Sequence, residues 1–413
     1  MRLLIYEFVS GGGFCGKPIP PSILSEGFGM LRTITLDAKA AGHTVTMVLD
    51  RRIAEFNPPL EADFKIVVNA FGEDVLAIHD ASESTDAAFI IAPESSNTLQ
   101  NLVESVERSK TSSLNCRSNA IHKVSDKSLL QTIAKTIGIA TPKTLTFSHE
   151  DNLEAVVQAV AEEIEYPAVV KPAGATACEG LSIVTNKNQV AKAISEITKS
   201  APAKFIIQEL IQGIPASVTL ISNGSEALPI SLNEQNVSLK SPKQASTYDG
   251  GTVPLDNPLK EKAFSTAKKL VESIKGLRGY IGVDLVLADK EPVLVEANPR
   301  LTTSYIGLQK VTNLTLAQTI IDSVLEHKLP SNQETTGYAH FAKIKTPNPT
   351  NKALQTALKM SELVSPPFPT RQKTETYALI CTKGDTLQKA KNAFNNAKKQ
   401  LITTLNSGGR KQR

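Results

Sequence analysis

Short apolar runs alternate with longer amphipathic stretches through the first third of the chain. Residues 2–9 are an apolar run that ends in Ser10 and the triplet Gly11-Gly12-Gly13, as a buried strand entering a glycine turn would. Residues 25–41 carry Phe28, Leu31, Ile34 and Leu36 among polar positions, a helix that Gly42 stops. Strands are expected at 43–49, 65–69 and 87–91, and a helix at 99–110. Strands alternating with helices predict a parallel, Rossmann-like sheet up to about residue 115. The triplet lacks the third spaced glycine of a dinucleotide fingerprint. Loops beyond strand ends line crevices in such sheets, so residues 7–13 are placed at the border of a site.

The rest of the chain follows a different rhythm. A helix over 128–137 closes at Gly138, and a strand at 166–172 meets a return strand at 181–184 across small residues. Further on come a helix over 189–199, a strand over 205–211, and a strand pair, 215–221 and 226–232. That pair is joined by the turn Ser222-Asn223-Gly224-Ser225. Tyr248-Asp249-Gly250-Gly251 reads as a loop and 260–275 as an amphipathic helix. Two β-rich runs, 281–287 and 292–298, flank the polar turn Asp289-Lys290-Glu291, which predicts an antiparallel hairpin. A helix is expected at 314–326. From about residue 331 a Pro- and Asn-rich connection introduces strand-like 338–345 and 376–382 and helical 352–363 and 386–405. The basic run at 409–413 reads as a disordered tail. The pattern yields three units: 1–115, Rossmann-like; 116–330, with a lid at about 140–212; and 331–413, a small α+β appendage.

Composition narrows the function classes. A chain of 413 residues, 41% hydrophobic and 21% charged, has the make-up of a globular protein of roughly two to three domains. The net charge of +4 is too small and too dispersed to argue for nucleic acid. Cys15, Cys116, Cys178 and Cys381 are far apart, without metal-ligand spacing, so a reducing compartment is the default. No apolar run approaches the ~20 residues of a membrane span, and Glu7 comes too early for a signal peptide. The reading is a soluble cytoplasmic protein, not bound to membrane or nucleic acid.

The candidate chemistry centres on the hairpin. Side chains alternate along a strand, so Leu294, Glu296 and Asn298 are expected on one face, with Asp284 opposite Glu296. Two carboxylates so close are costly without positive charge between them. A hard divalent cation suits them, Mg²⁺ in particular, because it binds one or two carboxylates plus substrate phosphates. Arg300 follows closely enough to serve a phosphoryl group or a developing oxyanion. Lys127 sits at a helix start, where its charge opposes the helix dipole, a placement that makes sense if it meets a phosphate. Lys171 ends a strand before the small-residue loop 173–180, whose backbone N–H groups can approach an anion closely. Cys178 in that loop has no base nearby to activate it. At the end of the 205–211 strand, Gln208, Glu209, Leu210 and Ile211 offer a backbone edge to an adenine ring.

The order of these pieces, ending in Asp284 and Glu-x-Asn-Pro-Arg at 296–300, resembles the ATP-grasp superfamily of carboxylate–amine ligases, over roughly residues 1–325. The resemblance implies an α/β and α+β ATP-grasp fold with an N-terminal pre-ATP-grasp domain. It implies ATP phosphates against Lys127, Lys171 and the lid residues Gly174, Ala175, Cys178, Glu179 and Gly180. It also implies Mg²⁺, or Mn²⁺, on Asp284, Glu296 and Asn298, with Arg300 catalytic. A substrate carboxylate would take the γ-phosphate to give an acylphosphate and ADP, and an amine would displace phosphate. Many relatives place an acid shortly after the adenine edge, where this chain has Gly213-Ile214-Pro215-Ala216-Ser217. The run 6–13, the lid 178–180 and the run 213–218 are similar to the tyramine–glutamate ligases of methanofuran biosynthesis, which implies γ-glutamyl transfer to tyramine, with Tyr248, Ser304 and Tyr305 as pocket candidates. Two other readings stand beside it: a different amino-acid or peptide ligase of this fold, and a non-catalytic nucleotide-binding module.

Overall fold

The alternation of the first 115 residues builds a parallel sheet. A computed structural model describes residues 1–174, 180–198, 204–369 and 375–407. Strands β1 (Arg2–Glu7), β2 (Thr44–Asp50), β3 (Phe64–Val68), β4 (Ala87–Ile91) and β5 (Ser112–Ser113) lie in the order β3-β2-β1-β4-β5, all pairs parallel. Helix Pro21–Ala40 packs one face through Phe28, Leu31 and Ile34. Helices Glu73–Ser82 and Thr98–Glu107 pack the other through Ala77, Ile78, Leu99 and Val103. Helix Glu73–Ser82 has no counterpart in the sequence reading. Its outward face carries exposed Val75 and Leu76, which blur the apolar period.

A four-stranded antiparallel sheet comes next: β6 (Thr144–Ser148), β7 (Ala168–Pro172), β8 (Ser182–Val184) and β9 (Lys204–Glu209), ordered β6-β9-β7-β8. With helices Leu153–Glu163 and Lys187–Thr198 it forms a small core of its own around Val160, Val170, Val190 and Ile207. The third sheet has eight strands: β10 (Ile214–Ser222), β11 (Ala227–Ser238), β12 (Thr247–Val253), β13 (Gly279–Leu287), β14 (Pro292–Asn298), β15 (Tyr338–Pro347), β16 (Leu363–Ser365) and β17 (Glu375–Gly384). Their order is β14-β13-β10-β11-β12-β15-β17-β16. The strands after residue 331 thus continue this sheet through β12.

Two expectations are corrected here. Tyr248-Asp249-Gly250-Gly251 is not a loop but the middle of β12. The glycines serve close packing between strands: a Cβ on Gly250 would stand 2.1 Å from Phe341 O, and one on Gly251 2.0 Å from Glu234 O. The β13–β14 register also shifts between Asp284 and Leu285, which pair with Glu296 and Leu294. Val295 is the extra residue of that bulge. Leu294 therefore turns into the core with Leu285, away from the face that carries Glu296 and Asn298.

The parallel sheet and the eight-stranded sheet share their cores. Leu4, Tyr6 and Val48 belong to the same cluster as Val218, Leu220 and Val283. On the other side, Tyr305 and Asp37 lock three helices together. The Tyr305 hydroxyl donates to Asp37 Oδ2 at 2.7 Å, and Ala317 N–H donates to the same oxygen at 2.7 Å. Burial raises the Asp37 pKa against both bonds. Tyr305→Phe leaves that carboxylate one donor short. The expected cost is about 1–3 kcal/mol in urea unfolding at an unchanged m-value; an unchanged midpoint would remove this lock from the account.

Candidate active site

The hairpin register brings the two acids together. Asp284 pairs with Glu296 across β13–β14, and Ser217 on β10 pairs with both Asp284 and Asn233. Opposed residues share a face, so Asn233, Ser217, Asp284 and Glu296 form one polar row across four strands. Asp284 is half-buried and its oxygens are capped by amides. Gln235 Nε2 donates to Oδ1 at 2.9 Å and Asn298 Nδ2 donates to Oδ2 at 3.1 Å. Burial first, and then the charge of Glu296, push the Asp284 pKa up to about 7, while the two amides and Arg300 pull it down.

Cations face these acids from other segments. Asp126 caps helix Lys127–Thr136 by accepting from Ser128 and Leu129 N–H, so the helix start is satisfied without the side chain of Lys127. Lys127 Nζ lies 3.5 Å from Glu296 Oε2, with only 5% of its side chain exposed. Lys171, on β7, is likewise buried and lines the same cavity. Arg300 Nη2 donates to Glu94 Oε2 at 3.1 Å, and Nη1 donates to Leu301 O at 3.0 Å. Its Nε approaches Glu94 Oε1 at 2.9 Å, an ion contact without hydrogen-bond alignment. Burial opposes the Arg300 charge, but Glu94, Glu296 and Asp284 outweigh it and raise the pKa.

These groups surround one cavity of about 500 Å³, a volume suited to a small-molecule ligand. It brings together ten of the residues singled out from the sequence: Lys127, Lys171, Gln208, Glu209, Leu210, Ile211, Asp284, Glu296, Asn298 and Arg300. Gly174 and Gly180 are described but are not among its lining residues, while Ala175, Cys178 and Glu179 lie outside the described residues, as does the tail at 409–413. Residues 7–13 do not line the cavity either. The Glu7 carboxylate is turned into its own loop, where it accepts from Val9 N–H, Ser10 N–H and the Ser10 hydroxyl. Tyr248 and Ser304 line the cavity, whereas Tyr305 is core.

Three residues had no role in the sequence reading. Gln235 was legible in principle, since Asn233 and Gln235 are polar at alternate positions of a strand. Glu94 follows β4 at the carboxyl end of the parallel sheet, where ligand crevices form. Glu26 lines the cavity from helix Pro21–Ala40. Its Oε1 lies 2.5 Å from Lys343 Nζ on β15, and its Oε2 accepts from the Thr303 hydroxyl at 3.1 Å.

Among the described residues no group of three or more His, Cys, Asp or Glu side chains is placed to hold a metal ion. The oxygen donors that could do so are therefore Asp284, Glu296 and the Asn298 amide. Two carboxylates and an amide fit a hard cation that takes its other ligands from phosphates and water. An Asp held partly protonated at neutral pH is also a group that an arriving cation would relieve.

Known proteins share this architecture. A family model described as an ATP-grasp domain matches residues 124–304, and one described as a pre ATP-grasp 3 domain matches residues 43–121. The tyramine–L-glutamate ligase of Methanocaldococcus fervens is 30% identical over 330 residues, covering 79% of this chain and 95% of the relative. A biotin carboxylase from Campylobacter jejuni, solved with β,γ-ATP, superposes with a TM-score of 0.73 at 17% identity over 96% of this chain and 90% of that one. An N5-carboxyaminoimidazole ribonucleotide synthetase solved with ADP gives 0.69 at 18% identity over 98% and 97%.

The Asp284 environment has a measurable consequence. A carboxyl whose pKa is higher folded than unfolded binds more protons folded, so its contribution to stability falls as pH rises between the two values. Metal-free protein should lose stability from about pH 4 to about pH 7 through this group. In Asp284→Asn that component disappears, so the variant's stability relative to wild type should climb over the same window. A pH-independent difference would contradict the assignment.

Proposed function

We propose, on the premise that the chain belongs to the ATP-grasp superfamily of ligases, that it joins the γ-carboxylate of L-glutamate to the amine of tyramine, a step of methanofuran biosynthesis. That the chain is an ATP-dependent, amide-forming ligase follows from the family and from its ligase relatives. The two substrates rest on the relatives' name, at an identity of 30%.

The observation that carries the reading is the placing of buried lysines, paired acids and an arginine around one cavity with no nucleophile required. Phosphoryl transfer needs positioning and charge neutralisation more than covalent help. Lys127 and Lys171 would hold the phosphates, dry side chains giving their charges more effect than they would have in water. Asp284, Glu296 and Asn298 would hold Mg²⁺, which when bound neutralises phosphate charge. Arg300, fixed by Glu94, would face the charge that develops on the transferred group. The N–H groups of Glu209 and Leu210 are committed to Lys143 O and Pro167 O. That leaves the Ile211 N–H for the purine. Glu26, Thr303, Ser304 and Tyr248, which also line the cavity, would receive the carboxylate and the amine.

Thiol chemistry is not needed. Burial pushes Cys15, Cys116 and Cys381 up to about 12, which keeps them protonated. Their free state supports a reducing, cytoplasmic location. Among the described residues no helix is long and apolar enough to cross a membrane.

The test is incubation with ATP, Mg²⁺, glutamate and tyramine, read by mass spectrometry. The expected products are the γ-amide, ADP and orthophosphate. Glu296→Gln should lower turnover about 10²–10³-fold with the circular dichroism spectrum unchanged. An amide from another carboxylate or amine would move the substrates and leave the chemistry. Pyrophosphate in place of orthophosphate, or near-normal turnover by the variant, would overturn the reading.

A further inference from the structure

Among the described residues, nine large apolar side chains are exposed, and five of them fall within residues 64–76: Phe64 (61%), Val67 (51%), Phe71 (81%), Val75 (45%) and Leu76 (66%). Isolated exposed apolar residues are ordinary, but a cluster of this kind marks an interaction surface. The five lie on the outer strand of the parallel sheet, on the turn after it and on the start of helix Glu73–Ser82, with Phe64 and Val67 on opposite faces of the strand, flanking its free edge.

Among the described residues strand β3 pairs only with β2, so its other edge offers unpaired backbone N–H and C=O groups. Natural edge strands are usually shortened, covered or interrupted. Elsewhere in this chain they are. Strand β5 has two residues, and β8 and β16 have three each. Strand β14 begins at a proline, and its Leu294 N–H donates to Ala140 O. Strand β6 is polar at Thr144, Thr146 and Ser148. Strand β3 has five residues, neither proline nor bulge, and one charge, Lys65.

We propose that this edge is where a second copy of the chain docks, with β3 paired antiparallel to itself across a two-fold axis. One register pairs all five residues of the strand with their copies. An axis through Ile66 sets Phe64 opposite the partner's Val68 and Lys65 opposite the partner's Val67. Like charges opposed across strands are destabilising, and this register keeps the two Lys65 ammonium groups apart. An isologous contact of this kind closes as a dimer and leaves no new edge for further growth.

Area and charge both favour that occupant. At their observed exposures the five side chains present roughly 500 Å² of apolar surface. A standard interface buries about 800 Å² per partner, so the patch supplies the apolar centre and the strand backbone and rim supply the remainder. The exposed charges of the segment 64–76, Lys65 and Glu73, balance, so the patch lacks the basic cluster that an anionic lipid surface would attract. The patch is remote in sequence from the groups around the ligand cavity, so the proposal does not depend on the substrates.

Sedimentation velocity of the full chain, from ~1 to ~100 µM, tests it. The wild-type chain should be a dimer, and Phe71→Lys and Leu76→Lys should each raise the dimer dissociation constant at least tenfold with the circular dichroism spectrum unchanged. Leu153→Lys, an exposed site away from the patch, should leave the dimer intact. Hydrogen exchange provides a second readout that needs no substitution: the amides of 64–68 not bonded to β2 should gain protection as concentration rises. A monomer throughout the range would overturn the proposal. So would a dimer that survives both patch substitutions while those amides exchange freely.

Discussion

Two carboxylates set opposite each other on a buried hairpin are the constraint that the rest of the site answers. Asp284 and Glu296 occupy paired positions of β13 and β14, and burial together with the neighbouring charge holds Asp284 near the middle of its titration at neutral pH. Such a pair costs free energy in a protein without a ligand. The surroundings reduce that cost without removing it. Gln235 and Asn298 donate amide hydrogens to Asp284, and Lys127 stands 3.5 Å from Glu296. The arrangement is strained electrostatically in the direction that a bound cation would relieve, which is how a site stores affinity for one.

The fold explains how charges from distant parts of the chain meet there. The eight-stranded sheet supplies the acids, the helix beginning at Lys127 supplies one cation, and the four-stranded sheet supplies Lys171 from β7. The parallel sheet contributes Glu94 from beyond β4, and this acid fixes the guanidinium of Arg300. Because the parallel and eight-stranded sheets share their hydrophobic clusters, Arg300 and Glu94 are held by one packed body. The four-stranded sheet has a separate small core. That division suits a part that approaches a ligand already seated on the larger body.

The local features of the site were legible in the sequence. The hairpin at 281–298 is announced by two β-rich runs and a polar turn, but that turn has four residues, with Leu287 opposite Pro292, and Asp284 meets Glu296 only because Val295 bulges out of register. Lys127 stands out because a helix start gives a structural lysine little reason to be there, and Lys171 because it ends a strand before a loop of small residues. What escaped depends on tertiary packing. The bulge at Val295, which turns Leu294 into the core, follows from how β14 meets its neighbours and has no signature in the residues themselves. Gly250 and Gly251 were read as a loop because glycine marks both turns and close strand packing, and only the distances to Phe341 O and Glu234 O tell the two apart. Glu94 meets Arg300 across 206 residues, a separation that no periodicity bridges. The lid residues Ala175, Cys178 and Glu179 lie outside the described residues.

The central claim is that the Asp284–Glu296 pair grips a divalent cation which it shares with nucleotide phosphates. Anomalous diffraction at the manganese edge, from crystals soaked with Mn²⁺ and a non-hydrolysable ATP analogue, tests it most directly. The account predicts an anomalous peak at about 2–2.3 Å from oxygens of both carboxylates and of the phosphate tail. A well-bound nucleotide with no peak between those two side chains would contradict it.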